Sequence, residues 1–195
     1  MRIADCEITA LDFECTGTTD PAHDNLPWQI GIAVMVQGKV VPERSFQSLL
    51  HVPVDHPFNP YTPGRWARQR EALAAAPAMT ELWPQLRPLL TGRPLLAHHT
   101  PTERGMLQQL FPLQSFGPWV DSLTIARRAF PGCSDYKLEN LIPNLGLSAR
   151  VQERAPGGAA HDAYYDAMAC ATLLEHVLTA PGWHDATVEA LSGLK

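Results

Sequence analysis

The chain has 195 residues, 45% of them hydrophobic and 18% charged, the balance of a globular protein able to bury a sizeable core rather than of a disordered or fibrous chain. A formal net charge of -5 excludes a generic basic coat on nucleic acid, so an anionic substrate would need a local site or a bound cation. Four cysteines without a C-x-x-C pair exclude a zinc-finger pattern and predict free thiols, and with no long apolar run or signal-like start the expectation is one cytoplasmic domain over 1–195 with no membrane partner.

In chain order, the first predicted element is a strand over 7–14, within "ITALDFECTG". It carries Asp12 and Glu14 two residues apart, and residues i and i+2 of a strand share a face. Two adjacent carboxylates repel unless a positive charge sits between them, and hard oxygen donors favour magnesium or manganese. "QIGIAVMVQG", 29–38, and "RSFQSLLHV", 44–52, predict two more strands, with Gly38-Lys39 as a hairpin turn, so the chain opens on an antiparallel meander. Residues 53–64 form a proline-rich loop, 65–76 and 79–90 two helices, and 93–99 a short buried strand. A helix over 102–111 follows, then a strand end and helix over 119–130 with Asp121 as N-cap. The helix within 136–146 is closed by Gly146. A flexible loop over 152–160 leads into the longest helix, 161–179, with Ala163, Ala167, Cys170, Ala171 and Leu174 along one face. Strands first and then strands mixed with helices predict an α/β fold with a mixed sheet.

Outside the first strand, Glu103 follows a buried strand at the start of a helix. His161 and Asp166 lie five residues apart where the last long helix begins. Four carboxylates on three separated segments plus a loop histidine are the inventory of two-metal phosphoryl hydrolysis, the histidine taking the proton of the attacking water. The His-Asp pairs at 23–24, 161–162 and 184–185 offer a rival reading, an all-helical metal phosphohydrolase; the β-branched run at 30–36 argues against it.

With those motifs in that order, residues 6 to 178 resemble the DEDD superfamily of 3′→5′ exonucleases, in its histidine branch, which includes proofreading subunits of bacterial replicative polymerases. "LDFECTG", "AHHTPTERGML" and "HDAYYDAMA" stand at its three motifs, and "VDSLTIARRAFPGCSDYKLENLIPNLGL" is similar to its connecting segment. The resemblance implies a ribonuclease H-like fold, a mixed central sheet of about five strands, the first three antiparallel, flanked by helices. It implies two Mg2+ or Mn2+ ions on Asp12, Glu14, Glu103 and Asp166, and His161 as general base. Thr16 and Gly17 stand where the family's backbone meets the terminal 3′-hydroxyl. The implied substrate is the 3′ end of single-stranded DNA or RNA, with a polymerase or repair complex as a possible partner. The second motif departs from the family: His99 replaces an asparagine, Glu103 an aspartate, and Thr102 an aromatic.

His98 and His99 are read as strand-end packing or as substrate contacts, and Glu103 as a metal ligand or a helix N-terminal acid. Arg65, Arg68, Arg70, Arg127 and Arg128 are read as helix surface or phosphate contacts. Trp28 and Trp66 belong to the core or to a base stack, and Lys137 and Glu139 to solvent. A nucleic-acid-end binding module and a subunit active only when docked on a polymerase or another nuclease stay open.

Overall fold

In a computed structural model, residues 1–65 and 69–193 are described here. A five-stranded sheet runs β3-β2-β1-β4-β5. Its strands are β1 (Glu7–Cys15), β2 (Pro27–Val36), β3 (Lys39–Leu49), β4 (Leu95–Ala97) and β5 (Trp119–Asp121). The first three are antiparallel, and β4 and β5 join parallel to β1, which is therefore central. The β2–β3 hairpin turns at Gln37-Gly38, one residue earlier than expected, with both residues at positive φ (51° and 74°) as a two-residue type I′ turn requires.

Alternation along β1 divides the core. Ile8 and Ala10 face a cluster with Ala167, Cys170 and Leu174, whereas Leu11 and Phe13 face one with Leu86, Leu90 and Leu107. The first cluster belongs to α7 (Ala163–Val177), α4 (Ser122–Ala129), α5 (Leu138–Asn144) and α6 (Ser148–Arg154). The second belongs to α2 (Trp83–Leu90) and α3 (Pro101–Leu110). Because β2 is covered on both faces, it is buried from Pro27 to Met35 and reads as an apolar run interrupted only by Gln29.

Several elements differ from their expected bounds. Among the described residues, the helix expected over 65–76 is α1 (Arg70–Ala75); residues 66–68 lie outside them. The helix expected from 79 starts at Trp83, with Pro84 in the first turn, where a missing N–H costs nothing, and Pro88 inside. The loop expected over 152–160 is shortened because α6 runs to Arg154 around the buried Val151. A short α8 (Val188–Ser192) closes the chain, where Arg2 bridges Thr187. The helix α7 is buried almost all round rather than on one face, its alanines letting the sheet and α4–α6 approach closely. Gly146, at φ +69°, terminates α5 as expected, and the Leu147 N–H donates back to the Ile142 carbonyl. All four cysteines are free, and among the described residues no helix is long and apolar enough to cross a membrane.

Candidate active site

The alternation that places Ile8 and Ala10 against α7 places Asp12 and Glu14 on the same face, at the β1 end. Directly opposite on β2 stand Gly31, beside Asp12, and Gln29, beside Glu14. These two residues seat the start of α7. A Cβ at Gly31 would lie 2.1 Å from the Ala163 carbonyl oxygen, so only glycine admits the helix this close. Buried Gln29 accepts from the Ala163 N–H at 3.3 Å and donates to Asp162 Oδ2 at 3.2 Å. Asp162 in turn caps α7 by accepting from the N–H groups of Tyr164 and Tyr165. Asp166 follows one turn later, with His161 just before the cap. His161 takes a left-handed φ of +64° and donates its backbone N–H to Asp166 Oδ2 at 2.8 Å. A carboxylate oxygen of Glu14, one of Asp166 and a ring nitrogen of His161 lie within 4.8 Å of one another.

Glu103 arrives from the other side of β1, in the first turn of α3, and is 3% exposed. The loop that delivers it is organised by Asp121, which does cap α4, through Leu123 and Thr124 N–H, and also accepts from the backbone N–H groups of His99 and Thr100.

Electrostatics single out the four acids. Burial, then Asp166, Glu103 and Glu14, raise the Asp12 carboxyl well above the usual carboxylate range. Burial, then Asp166, Asp162 and Glu103, push Glu14 up to about 8. Burial also pushes Glu103 to about 8 against the pull of its own helix N–H, and raises Asp166 against the His161 N–H. Elsewhere a buried acid has a cation: Glu175 is flanked by Arg154 and Lys39. Among the described residues, no arginine or lysine ion pair reaches Asp12, Glu14, Glu103 or Asp166. Among the described residues, buried Glu103 Oε2 has no hydrogen-bond partner. Four buried or half-buried carboxylates, one with an orphaned oxygen and none with an arginine or lysine ion pair among the described residues, fit hard divalent cations.

The exonuclease family model, RNase_T, matches residues 9–174, from the start of the acidic strand to beyond the first turns of α7. This chain belongs to that family, the DEDD-type 3′→5′ exonucleases. No curated protein sequence matches it. Solved structures share the exonuclease fold at low identity. Exonuclease X in complex with 5′ overhanging duplex DNA superposes with a TM-score of 0.68 at 23% identity, covering 95% of this chain and 97% of that one. S. pombe Pop2p in its Mg2+- and Mn2+-bound form gives 0.70 at 14%, covering 96% and 88%. A 3′-exonuclease that recognises the histone mRNA stem-loop gives 0.66 at 14%, covering 88% and 81%.

In this exonuclease the remaining expected site residues fare unequally. The sheet excludes the all-helical rival. Thr16 is fully buried; its N–H donates to the Leu26 carbonyl and its carbonyl accepts from Asn59. The Gly17 N–H donates to Asn25 Oδ1 at 2.7 Å, so both amide N–H groups serve the fold. A Cβ at Gly17 would lie 2.0 Å from Thr62 Oγ1, and its φ is +62°. His98 pairs Nδ1 with Ser122 Oγ at 2.8 Å and Nε2 with the Tyr136 carbonyl at 2.7 Å, so both ring nitrogens are engaged. His99 is exposed beside it, at φ +82°.

Trp28 is 1% exposed and packs with Val52 and Leu73, which removes it as a base-stacking platform; Trp66 and Arg68 lie outside the described residues. Arg70 donates to the Val54 and His56 carbonyls and stacks on Phe58, pinned to its own loop rather than offered to phosphate. Glu139 is exposed, as expected, and also meets His161 Nε2 at 2.8 Å. Arg127 and Lys137 line a cleft of about 430 Å³ that shares His98 and Lys137 with a second, of about 280 Å³, bounded by Glu139, His161 and Asp166. Sequence reasoning missed Gln29, Gly31 and the bridging role of Asp121. A buried glutamine and a glycine inside an otherwise apolar strand were the available signals.

Proposed function

We propose that this exonuclease works by the histidine-branch mechanism, hydrolysing the terminal phosphodiester at the 3′ end of single-stranded DNA or RNA and releasing nucleoside 5′-monophosphates. The carrying observation is the cluster of Asp12, Glu14, Glu103 and Asp166 at one end of β1, without a protein cation among the described residues. These four would hold two divalent cations, Mg2+ or Mn2+, whose chemistry when bound is to neutralise charge on the phosphoryl oxygens and ease deprotonation of water. The protein itself orients and moves protons. His161 stands beside Glu14 and Asp166, within reach of a water at the acidic cluster, and takes its proton as the oxygen attacks phosphorus. The bond to the 3′-oxygen of the preceding nucleotide breaks, leaving a new 3′-hydroxyl. The adjoining clefts beside His161 hold Arg127 and Lys137 next to the acids Asp135 and Glu139, and these two cations are the groups there that would meet phosphates of the strand. Pop2p, of the same fold, binds Mg2+ and Mn2+, and Exonuclease X binds 5′ overhanging duplex DNA, both in keeping with this reading.

The test uses purified protein alone on 3′- and 5′-labelled DNA and RNA single strands, with Mg2+, Mn2+ or chelator. The expected result is a ladder shortening from the 3′ end, absent with chelator and absent in Asp12→Asn. Binding without shortening in either metal overturns the reading in favour of an end-binding module. Shortening only after a polymerase is added favours a docked subunit. The relative rates on DNA and RNA assign the sugar.

A further inference from the structure

We infer that Glu139 is the positioning residue of His161, fixing which ring nitrogen is free to accept a proton. The inference rests on the reading of His161 as the base. Glu139 lies in the first turn of α5, an element pinned beneath by the buried Leu141 and Ile142, and its Oε2 meets His161 Nε2 at 2.8 Å. An acid in a helix first turn is ordinarily a macrodipole acid in solvent. Here it spans 22 residues of sequence to reach a histidine that the backbone holds in a left-handed conformation.

The two contacts divide the work. The bond from the His161 backbone N–H to Asp166 Oδ2 fixes where the residue sits, and the Glu139 carboxylate fixes how the ring is turned. A carboxylate only accepts hydrogen bonds, so a carboxylate 2.8 Å from Nε2 favours the hydrogen on that nitrogen and leaves the Nδ1 lone pair open. In the reaction, water gives its proton to Nδ1, and the imidazolium so formed is held beside the Glu139 charge; no proton passes to Glu139. This is the division of labour of an acid–histidine pair in acyl transfer, applied to a water nucleophile.

Both side chains are about one-third or more exposed, so Glu139 adds little to folding and can be replaced without loss of the core. Two measurements test the pair. In Mg2+-supplemented protein with 15N-labelled histidine, long-range 15N–1H spectra should show His161 as the Nε2–H tautomer, becoming a mixture in Glu139→Leu. On a labelled single strand, Glu139→Leu should lower kcat roughly 10–100-fold with KM unchanged. Glu139→Gln, which keeps an acceptor without the charge, should fall between. In a His161→Ala background Glu139→Leu should cost nothing further. An Nδ1–H tautomer in the wild type, or an equal loss of kcat with and without His161, overturns the inference. Full activity in His161→Ala would instead overturn the base reading, a result the tautomer measurement separates from the geometry of the pair.

Discussion

At the scale of single residues, Glu103 shows how a one-carbon change can matter. It occupies the position where the resemblance expects aspartate, and its longer side chain carries a buried Oε2 with no hydrogen-bond partner among the described residues. The alternative, an acid serving only the α3 N-terminus, has some support, because its own helix N–H does stabilise the charge. A capping acid, however, keeps its carboxylate near solvent, whereas burial here pushes Glu103 up to about 8. Shortening the side chain decides between them. Glu103→Asp should lower the rate with Mg2+ and change the ratio of Mn2+- to Mg2+-supported activity, read in parallel digestions. An unchanged ratio and rate would assign Glu103 to capping. That Glu14, His161 and Asp166 would lie together, with Asp12 beside them, was legible because position and residue type agree across two motifs. The pairing of Glu139 with His161 was not, since an acid in a helix first turn has the same sequence signature whether or not a partner folds against it.

Between elements, the decisive contact is that of α7 on β2. The antiparallel opening strands and the longest helix were legible from periodicity, the mixed sheet of about five strands came only with the family resemblance, and the strand order was not predicted. What periodicity could not give is how close the helix comes. That distance depends on the absent side chain of Gly31 and on Gln29, which satisfies both the Ala163 N–H and Asp162. The short helices α6 and α8 escaped for a related reason: with seven and five residues, they hold only one or two buried positions each, too few to show a period. Gly31→Ala should force backbone against backbone, costing about 1–3 kcal/mol and lowering the melting temperature by about 2–4 °C per kcal/mol. Activity should fall further than stability explains, because Asp166 and His161 move with the helix. Gly105→Ala is the control: on α3, where a Cβ meets nothing within 4 Å, it should leave stability equal or slightly higher. If both variants melt and cut alike, the close approach does not position the site.

For the whole molecule, the acidic cluster sets a conflict between stability and activity that pH can expose. Glu14 and Glu103 have ordinary values of 4.5 and rise to about 8 in the folded, metal-free protein. Between those values the folded state holds more protons than the unfolded one, so metal-free stability must fall as pH rises through this window. The surface acids act in the opposite direction elsewhere. Glu7, held down by Arg44 and Arg93, and Asp5, held down by Arg2, contribute only above their unfolded values and lose that contribution in acid. They are exposed and contribute little, so they leave the neutral window to the buried cluster. A melting series in chelator should therefore decline from about pH 5 to pH 8. Adding Mn2+ should flatten or reverse the decline, because a cation replaces the proton as counter-charge and binds best where the carboxylates are ionised. Asp12→Asn removes one of the repelling charges. It should raise the metal-free melting temperature at pH 8 while abolishing cleavage, the pattern of a site kept for chemistry at the expense of the fold. A melting temperature flat from pH 5 to pH 8 in chelator, or one that falls in Asp12→Asn at pH 8, would mean that the four carboxylates do not share one buried space.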